Sequence, residues 1–432
     1  MMKLVSQGLL TVLFAALLSS CGGGSSNTNP QGQVVGASYA TNYTAPVPLG
    51  MTWVPSGILR MGNSDQDVKN GGDNKNRTVQ MFGFYMDATE ISNAEYRQFT
   101  EWVRDSIAHA MLGLTKTDDI TGAEMIDWKQ KVKWNTEEVQ EGLATMFIPA
   151  EQSVTGRKLF DNRGKLVYNY EAYDYDEMNR AGIDVDRSTF KKKSYSLRIY
   201  PDTTVWVKMF SYAYNEPIAQ QYNWFKAFDN YPVVGVTWNQ ANAFCHWRTQ
   251  LWRNYRESKK QYTEGEFRLP TEAEWEWAAR GGLNQSPFPW GGPYIINKKG
   301  CYLANFKPNR GNYGADGGLY TQPVNSYWPN DYGLYNMAGN VSEWTTSSFV
   351  TNSHQSAGDL SPETRMQTKD GDPAWLKRKV IRGGSWKDVQ YYLQNGTRDW
   401  EFADTAKAYI GFRCMTPNIS AAMTNRPPSA RK

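Results

Sequence analysis

Apolar and polar positions change period several times along the chain, and each change marks an element. In "MTWVPSGILRMGNSDQD" the two kinds of residue alternate around Gly57 and Gly62, which predicts a β-hairpin at the start of the folded part, near Pro46. Phe82 to Met86 reads as a strand. The period then lengthens: Tyr96, Phe99, Val103 and Ile107 recur at i, i+3 and i+4, the apolar stripe of an amphipathic helix. Ser92 or Asn93 caps this helix, Glu95 lies in its first turn, and it ends near Gly113.

From about Thr115 to Lys226 the periodicity fades. "EAYDYDEMNRAGIDVDR" is acidic and rich in Tyr, and "IYPDTTVWVKMFSYAYNEP" predicts a strand pair broken by turns. No separate apolar framework is visible here, so the stretch reads as an elaboration of the main domain, with a small second domain as the alternative. Regular signals return with a buried strand, Val233 to Val236, and a helix whose apolar face includes Ala241, Phe244, Cys245 and Trp252. "RLPTEAEWEWAARGG" predicts a second helix, with Thr271 and Glu274 as a capping box and Gly281 as its stop. Turns and short strands follow almost to the end. Segregated strands and helices point to an α+β class.

The N-terminus adds a destination. Lys3, an apolar run from Leu9 to Leu18 and "LSSC" resemble a secretory signal ending in a lipobox. Ten apolar residues are too few to span a bilayer, which needs about 20. The expected layout is a signal peptide over 1–20, lipidation at Cys21, a Gly/Ser/Asn tether over 21–46, a domain over 47–418 and a disordered tail over 419–432. No acidic run follows Cys21, which favours the periplasmic face of the outer membrane. Aromatic residues make up 14% of the chain, too many for a disordered one. A formal charge of +4 with no base-reading motif gives no reason to invoke nucleic acid. Three cysteines remain in the exported part, Cys245, Cys301 and Cys414; any pair could form a disulfide, and spacing does not choose among them.

Catalytic chemistry is hard to find. His109, His246 and His354 have no metal-ligand spacing, and each reads as an ordinary surface, helix-end or loop residue. No nucleophile elbow or phosphate loop is present. The turn in "IRGGSWKDVQYYL" presents Asp388 as its only acid, with Tyr391 and Tyr392 behind it; a turn-capping Asp is the plain reading. Two Gly-containing loops offer hard oxygen donors: Asn305 with Asp316, and Asn336 with Glu343 around Gly339. Asx-turns in ordinary loops account for them equally well.

Seven motifs in order, "MGNSDQD", "YPVVGVTWNQANAFCHWR", "RLPTEAEWEWAARGG", "FPWGG", "GLYNMAGNVSEWT", "IRGGSW" and "GFRC", resemble the formylglycine-generating sulfatase-modifying enzyme family over most of residues 47–416. The resemblance implies a single α+β domain related to C-type lectins, poor in regular secondary structure, with residues 115–226 as a large central insertion. Oxidases of that family hold copper through two cysteines, two and seven residues after the aromatic that ends the GGS motif. Here those positions are Asp388 and Leu393. Copper(I) selects soft thiolates, which neither residue replaces, so no copper is expected. Iron is not expected either, since the scattered histidines do not supply the facial set of the related sulfoxide synthases. The resemblance further implies a Cys245–Cys414 disulfide and two structural calcium sites. Asn305, the Phe306 carbonyl, Asp316 and the Gly318 carbonyl would form one. Asn336, the Gly339 and Val341 carbonyls and Glu343 would form the other.

Within the family, "MDATEISNAEYRQFTEWVRDSI", "FDNYPVVGV" and the lipobox are similar to the GldK/PorK branch of Bacteroidetes lipoproteins that serve gliding motility and type IX secretion. That similarity implies a non-catalytic, lipid-anchored ring subunit at the periplasmic face of the outer membrane, self-associating and joined by a GldN/PorN-type periplasmic partner. The competing expectation is an enzyme of the family with altered chemistry. A carbohydrate- or peptide-binding module is a third.

Overall fold

The computed structural model describes residues 46–418 except 64–75, 118–121, 123, 153–158, 174–191, 213, 262–264, 309–310, 352, 354–356, 367 and 369–370. The signal peptide, Cys21, nearly all of the tether, His354 and the tail lie outside the described residues.

Strand β1 (Met51–Val54) and strand β2 (Gly57–Met61) follow one another but do not pair. β1 joins a three-stranded sheet with β4 (Phe84–Asp87) at its centre and β15 (Met415–Pro417) on the other side, while β2 pairs with β3 (Arg77–Met81). The expected hairpin is therefore corrected: β2 has a different partner. Pro55 lacks the N–H a hairpin ladder would use, and its carbonyl accepts from Trp277 Nε1 at 2.7 Å. The same indole covers Gly57, where a Cβ would stand 2.7 Å from the ring.

The first long helix, α1 (Asn93–Met111), behaves as its stripe predicts. Ser92, not Asn93, is the cap; its side chain and that of Glu95 form the reciprocal box, an arrangement that stabilises by about 1 kcal/mol. Tyr96, Phe99 and Val103 are buried against α6 (Trp238–Ser258). Between these helices in sequence lie β5 (Thr115–Thr117), β6 (Glu124–Ile126), α2 (Glu137–Gly142), β7 (Phe147–Ile148), β8 (Leu159–Phe160), α3 (Asn162–Lys165), β9 (Val167–Tyr173), β10 (Lys192–Arg198), α4 (Val205–Met209) and α5 (Pro217–Gln221). The strand pair expected around residues 199–217 is replaced by α4 and α5: Pro217 starts α5, and Trp206 of α4 is buried beside Tyr222 and Trp386. Leu166, Tyr168 and Ile199 share the main core with α1 and α6.

Val233 to Val236 are buried but form no strand. Their backbone groups go to three separate segments: Val233 N–H to Ile91, Gly235 N–H to Lys407, and the Gly235 carbonyl from Asp202. A buried apolar run becomes a strand only where adjacent strands take its N–H and C=O groups in a regular ladder. α7 (Glu272–Arg280) has the predicted Thr271–Glu274 box and ends at Gly281 in the left-handed conformation, φ 59°. It packs against the second sheet, ordered β13 (Asp399–Phe402), β12 (Arg378–Arg382), β11 (Ser342–Ser348), β14 (Ile410–Gly411), in which β11 and β14 are parallel. The sheet, α1 and α6 enclose the principal core, with Trp344, Ile381, Phe412 and Cys414 at its base. The class is α+β, and long loops carry much of the chain. No helix among the described residues is long and apolar enough to cross a membrane.

Candidate functional site

β12 runs into the Gly383–Gly384 turn, where both residues have positive φ, 90° and 65°. A Cβ at Gly384 would stand 2.8 Å from the Tyr392 carbonyl, so the turn requires glycine there. The turn docks on a second one: Gly339 N–H donates to the Gly383 carbonyl and Trp386 N–H to the Asn340 carbonyl, both at 2.9 Å. The side chains this geometry presents are already engaged. Asp388 accepts from Ser385 Oγ at 2.5 Å and from Lys387 Nζ at 2.7 Å. Trp386 stacks on Trp206 with centroids 5.8 Å apart. Leu393 has no exposed surface and packs with Phe288, Ile295, Ala304, Phe306 and Ala338. One position implied for copper is a capped carboxylate and the other is an alkyl group sealed in an apolar cluster. These residues do not fit the metal.

The histidines stand elsewhere. His109 is buried, its two ring nitrogens facing the carbonyls of Asp105 and Gln130 at 2.6 and 2.7 Å. His246 is not the plain surface residue expected: Tyr170 stacks on it at 4.5 Å and the Tyr168 hydroxyl meets its Nδ1 at 2.9 Å. Burial lowers its pKa, with Glu266 opposing. A cleft of about 230 Å³ lies between α1 and the 162–224 region, lined by Arg97, Arg104, Tyr200 and Trp224 among others, and none of the Gly–Gly turn residues borders it.

Cys245 and Cys414 meet in the core as free thiols with sulfurs 3.3 Å apart, beyond the roughly 2.05 Å of a disulfide bond. Burial, and then contact with Cys245, pushes the Cys414 thiol up. Cys301 is exposed.

The two oxygen-rich loops come together. Asp316 accepts from the Phe306 and Gly318 N–H groups, at 2.6 and 3.2 Å, and burial raises its pKa. Asn305 donates to the Tyr320 carbonyl and to Asn340 Oδ1, leaving its own Oδ1 buried without a partner. Asn336, at φ 51°, donates to the Val324 carbonyl and to Glu90, and its Oδ1 is likewise buried and unpaired. Glu343 is gripped by Arg413 through both oxygens, at 2.6 and 2.7 Å, and by Trp275 Nε1 at 2.7 Å. Glu90, fully buried, is pushed up to about 8 by its burial; Arg413 opposes the rise and Glu343 adds to it.

An unpaired amide oxygen alone does not mark a cation site, since Asn93 and Asn395 have one too. Here each has a carboxylate near it: Asp316, bonded to the N–H next to Asn305, and Glu90, which accepts from Asn336, with Glu343 close enough to Glu90 to raise its pKa. The donor set is all oxygen, as a hard divalent cation requires. The residues therefore fit calcium, with Glu343 contributing least because Arg413 and Trp275 already occupy most of its capacity. Among the described residues no group of three or more His, Cys, Asp or Glu side chains is disposed to hold a metal.

Sequence reasoning missed Glu90, Asn340 and Arg413. The only signals were an acid two residues before the α1 cap, an Asn inside "AGNVSEW" and the Arg of "GFRC"; the contacts that give them meaning span 246 to 250 residues for Glu90.

The family model for the sulfatase-modifying factor enzyme 1-like domain matches residues 39–417. The formylglycine-generating enzyme of Mus musculus is 27% identical over 390 residues, covering 88% of this chain and 79% of that one. The inactive C-alpha-formylglycine-generating enzyme 2 of Bos taurus is 35% identical over 204 residues, 46% of this chain and 52% of its own. Among solved structures, PvdO from Pseudomonas aeruginosa aligns at a TM-score of 0.46 and 19% identity, over 85% of this chain and 94% of that one.

Proposed function

The chain belongs to the sulfatase-modifying factor family, and from that premise we propose that it uses the fold as architecture. It is a non-catalytic lipoprotein of the GldK/PorK kind, held by Cys21 at the periplasmic face of the outer membrane. There it forms a ring with copies of itself and a GldN/PorN-type partner in type IX secretion or gliding motility. The observation that carries the non-catalytic reading is Leu393, wholly buried in an apolar cluster where a thiolate would have to reach copper. The ring reading draws on the lipobox and on the 115–226 insertion, which exposes Tyr212, Tyr214, Trp224 and Phe225 while Leu166, Tyr168, Ile199, Val205 and Trp206 join the core. A ring follows if such a face meets a different face of the next copy at an angle that closes. Extraction in mild detergent, with the mass and composition of what co-purifies, tests it. A large species with one stoichiometric partner supports the ring, and a solitary monomer overturns it.

The second reading, an enzyme of the family with altered chemistry, is favoured by a formylglycine-generating relative that covers 88% of this chain. Incubation with a Cys-containing sulfatase peptide separates the two. No formylglycine is expected; turnover that disappears in Asp388→Ala would establish the enzyme and remove the scaffold reading.

The same proposal includes structural calcium in the two loops, oxidation of Cys245 and Cys414 to a disulfide after export, and the C-type-lectin ancestry of the domain. Calcium would take Asn305, Phe306, Asp316 and Gly318 in one loop, and Asn336, Gly339, Val341 and Glu343 in the other.

A further inference from the structure

We propose that Glu90 and Asn340 are positioning residues for the two cation sites: they fix which oxygen Asn305 and Asn336 present, and they carry occupancy of one site to the other. The inference rests on the calcium reading above and concerns residues that reading does not include.

The orientation of each amide follows from partners that cannot exchange roles. Gln322 N–H can only donate, and it donates to Asn340 Oδ1 at 2.8 Å. Asn340 Nδ2 must therefore face the other way, where it donates to Glu90 Oε1 at 2.9 Å and the Gln322 carbonyl at 3.2 Å. Asn340 Oδ1 takes a second hydrogen from Asn305 Nδ2 at 3.1 Å. The other Nδ2 hydrogen of Asn305 goes to the Tyr320 carbonyl at 2.8 Å, and its Oδ1 is left over. On the far side, Glu90 Oε2 accepts from Asn336 Nδ2 at 3.1 Å while the Val324 carbonyl accepts at 3.0 Å, which leaves Asn336 Oδ1 over as well.

One hydrogen-bonded path thus runs from Asn305 through Asn340 and Glu90 to Asn336. Neither amide at its ends can turn without setting its oxygen against two acceptors and leaving its buried N–H groups without them. Both leftover oxygens belong to the residues that would bind the cations. Asn340 holds the centre in the left-handed region, φ 61°, and its own N–H is tied to the Asn305 carbonyl at 2.8 Å, so side chain and backbone join the two loops at one residue. Outer partners of this kind orient ligands and set how tightly the metal is held. A cation that draws Asn336 Oδ1 forward tightens its bond to Glu90, and through Asn340 it steadies Asn305.

The test is calcium titration by calorimetry on the full chain after chelation, with bound calcium counted by atomic emission. Wild type should take two ions. Glu90→Gln, nearly isosteric, cannot accept from both Asn336 and Asn340, and should weaken the Asn336 site by about 10- to 100-fold. Asp316→Asn removes the carboxylate of the first site and should also weaken the second, by a factor in the usual coupling range of about 5 to 150. Asn340→Gly keeps the backbone conformation available and should abolish that transmitted effect: Asp316→Asn then leaves the second site unchanged. A purely structural role would change the stability of the chelated protein and leave the affinities alone. Two bound ions with unaltered affinities in Glu90→Gln and Asn340→Gly overturn the inference while the calcium reading stands. No calcium in wild type overturns both, at the calcium step. Glu90→Gln carries the test if Asn340→Gly does not fold.

Discussion

Two clusters of buried charge meet the β11–β12 pair at one register position, where Glu343 of one stands opposite Arg382 of the other, and they solve the same problem differently. In the first, Arg280, Arg382 and Arg398 meet Glu272 and Glu276, three guanidinium groups to two carboxylates. The excess positive charge is solvated inside the protein. Arg382 donates to the carbonyls of Asn395, Gly396 and Thr397, and Arg280 to those of Gly62 and Ser286. In the second, Glu90 and Glu343 meet Arg413, two carboxylates to one guanidinium, with Asp87 nearby already matched by Arg248 at 2.7 Å. Here the excess is negative, and two carboxamides are what the protein supplies to Glu90. Backbone carbonyls are abundant wherever loops converge, so an interior can complete a surplus of arginine by itself. A surplus of carboxylate has no such backbone supply: burial pushes Glu90 toward its protonated form, and the cation proposed above would take the proton's place.

The strongest way to break the contrast is to remove the arginine both acids of the first cluster share. Arg382→Met leaves Glu276 to Arg280 and Glu272 to Arg398, but it takes one buried partner from each acid and from the carbonyls of Asn395, Gly396 and Thr397, and should cost about 3–5 kcal/mol in urea unfolding, equally with calcium or a chelator present. Equal loss in both conditions is the informative part. Chelation itself should act on the second cluster alone. At calcium 100 times its dissociation constant, removal should lower stability by about 2.7 kcal/mol for each ion lost, in wild type and in Arg382→Met alike. A chelator with no effect on melting would make the two clusters equivalent and defeat the contrast.

The smallest effect is a slope with pH. In the chelated protein burial pushes the folded Glu90 carboxyl up to about 8 from its ordinary 4.5, so between those limits the folded state binds the extra proton. Stability must then fall as pH rises from about 5 to 8, by at most about 1.4 kcal/mol per unit. Calcium or Glu90→Gln should flatten the slope, and a slope that survives Glu90→Gln would assign it to another group. His246 acts with the opposite sign, since its lowered pKa favours the neutral folded form as pH rises.

Local signals were read well where one segment contains the whole cause. The α1 stripe, the Thr271–Glu274 box and the Gly281 stop each need only neighbours within four residues, and each is present. The reading failed where a distant group decides. Trp277 and Pro55 divert β1 from β2, Trp206 finds its partners in a helix, and Val233 to Val236 spend their hydrogen bonds on three segments instead of one. His246 looked like a surface residue because Tyr168 and Tyr170, which cover it, are 76 or more positions away in sequence, and their hairpin gave no periodic signal.

By itself, then, the chain determined its class, its capped helices, its glycine turns and the presence of Asp388 and Leu393, neither of them a sulfur donor, after the Gly–Gly turn. Those are matters of residue type and short spacing. Only the tertiary structure decided that Asp388 is spent on Ser385 and Lys387, that Leu393 is sealed, and that Glu90 faces Asn336 and Asn340. The reason is physical: a side chain's charge state and the direction of its lone pairs are set by what surrounds it, and for these residues the surroundings come mostly from other parts of the chain.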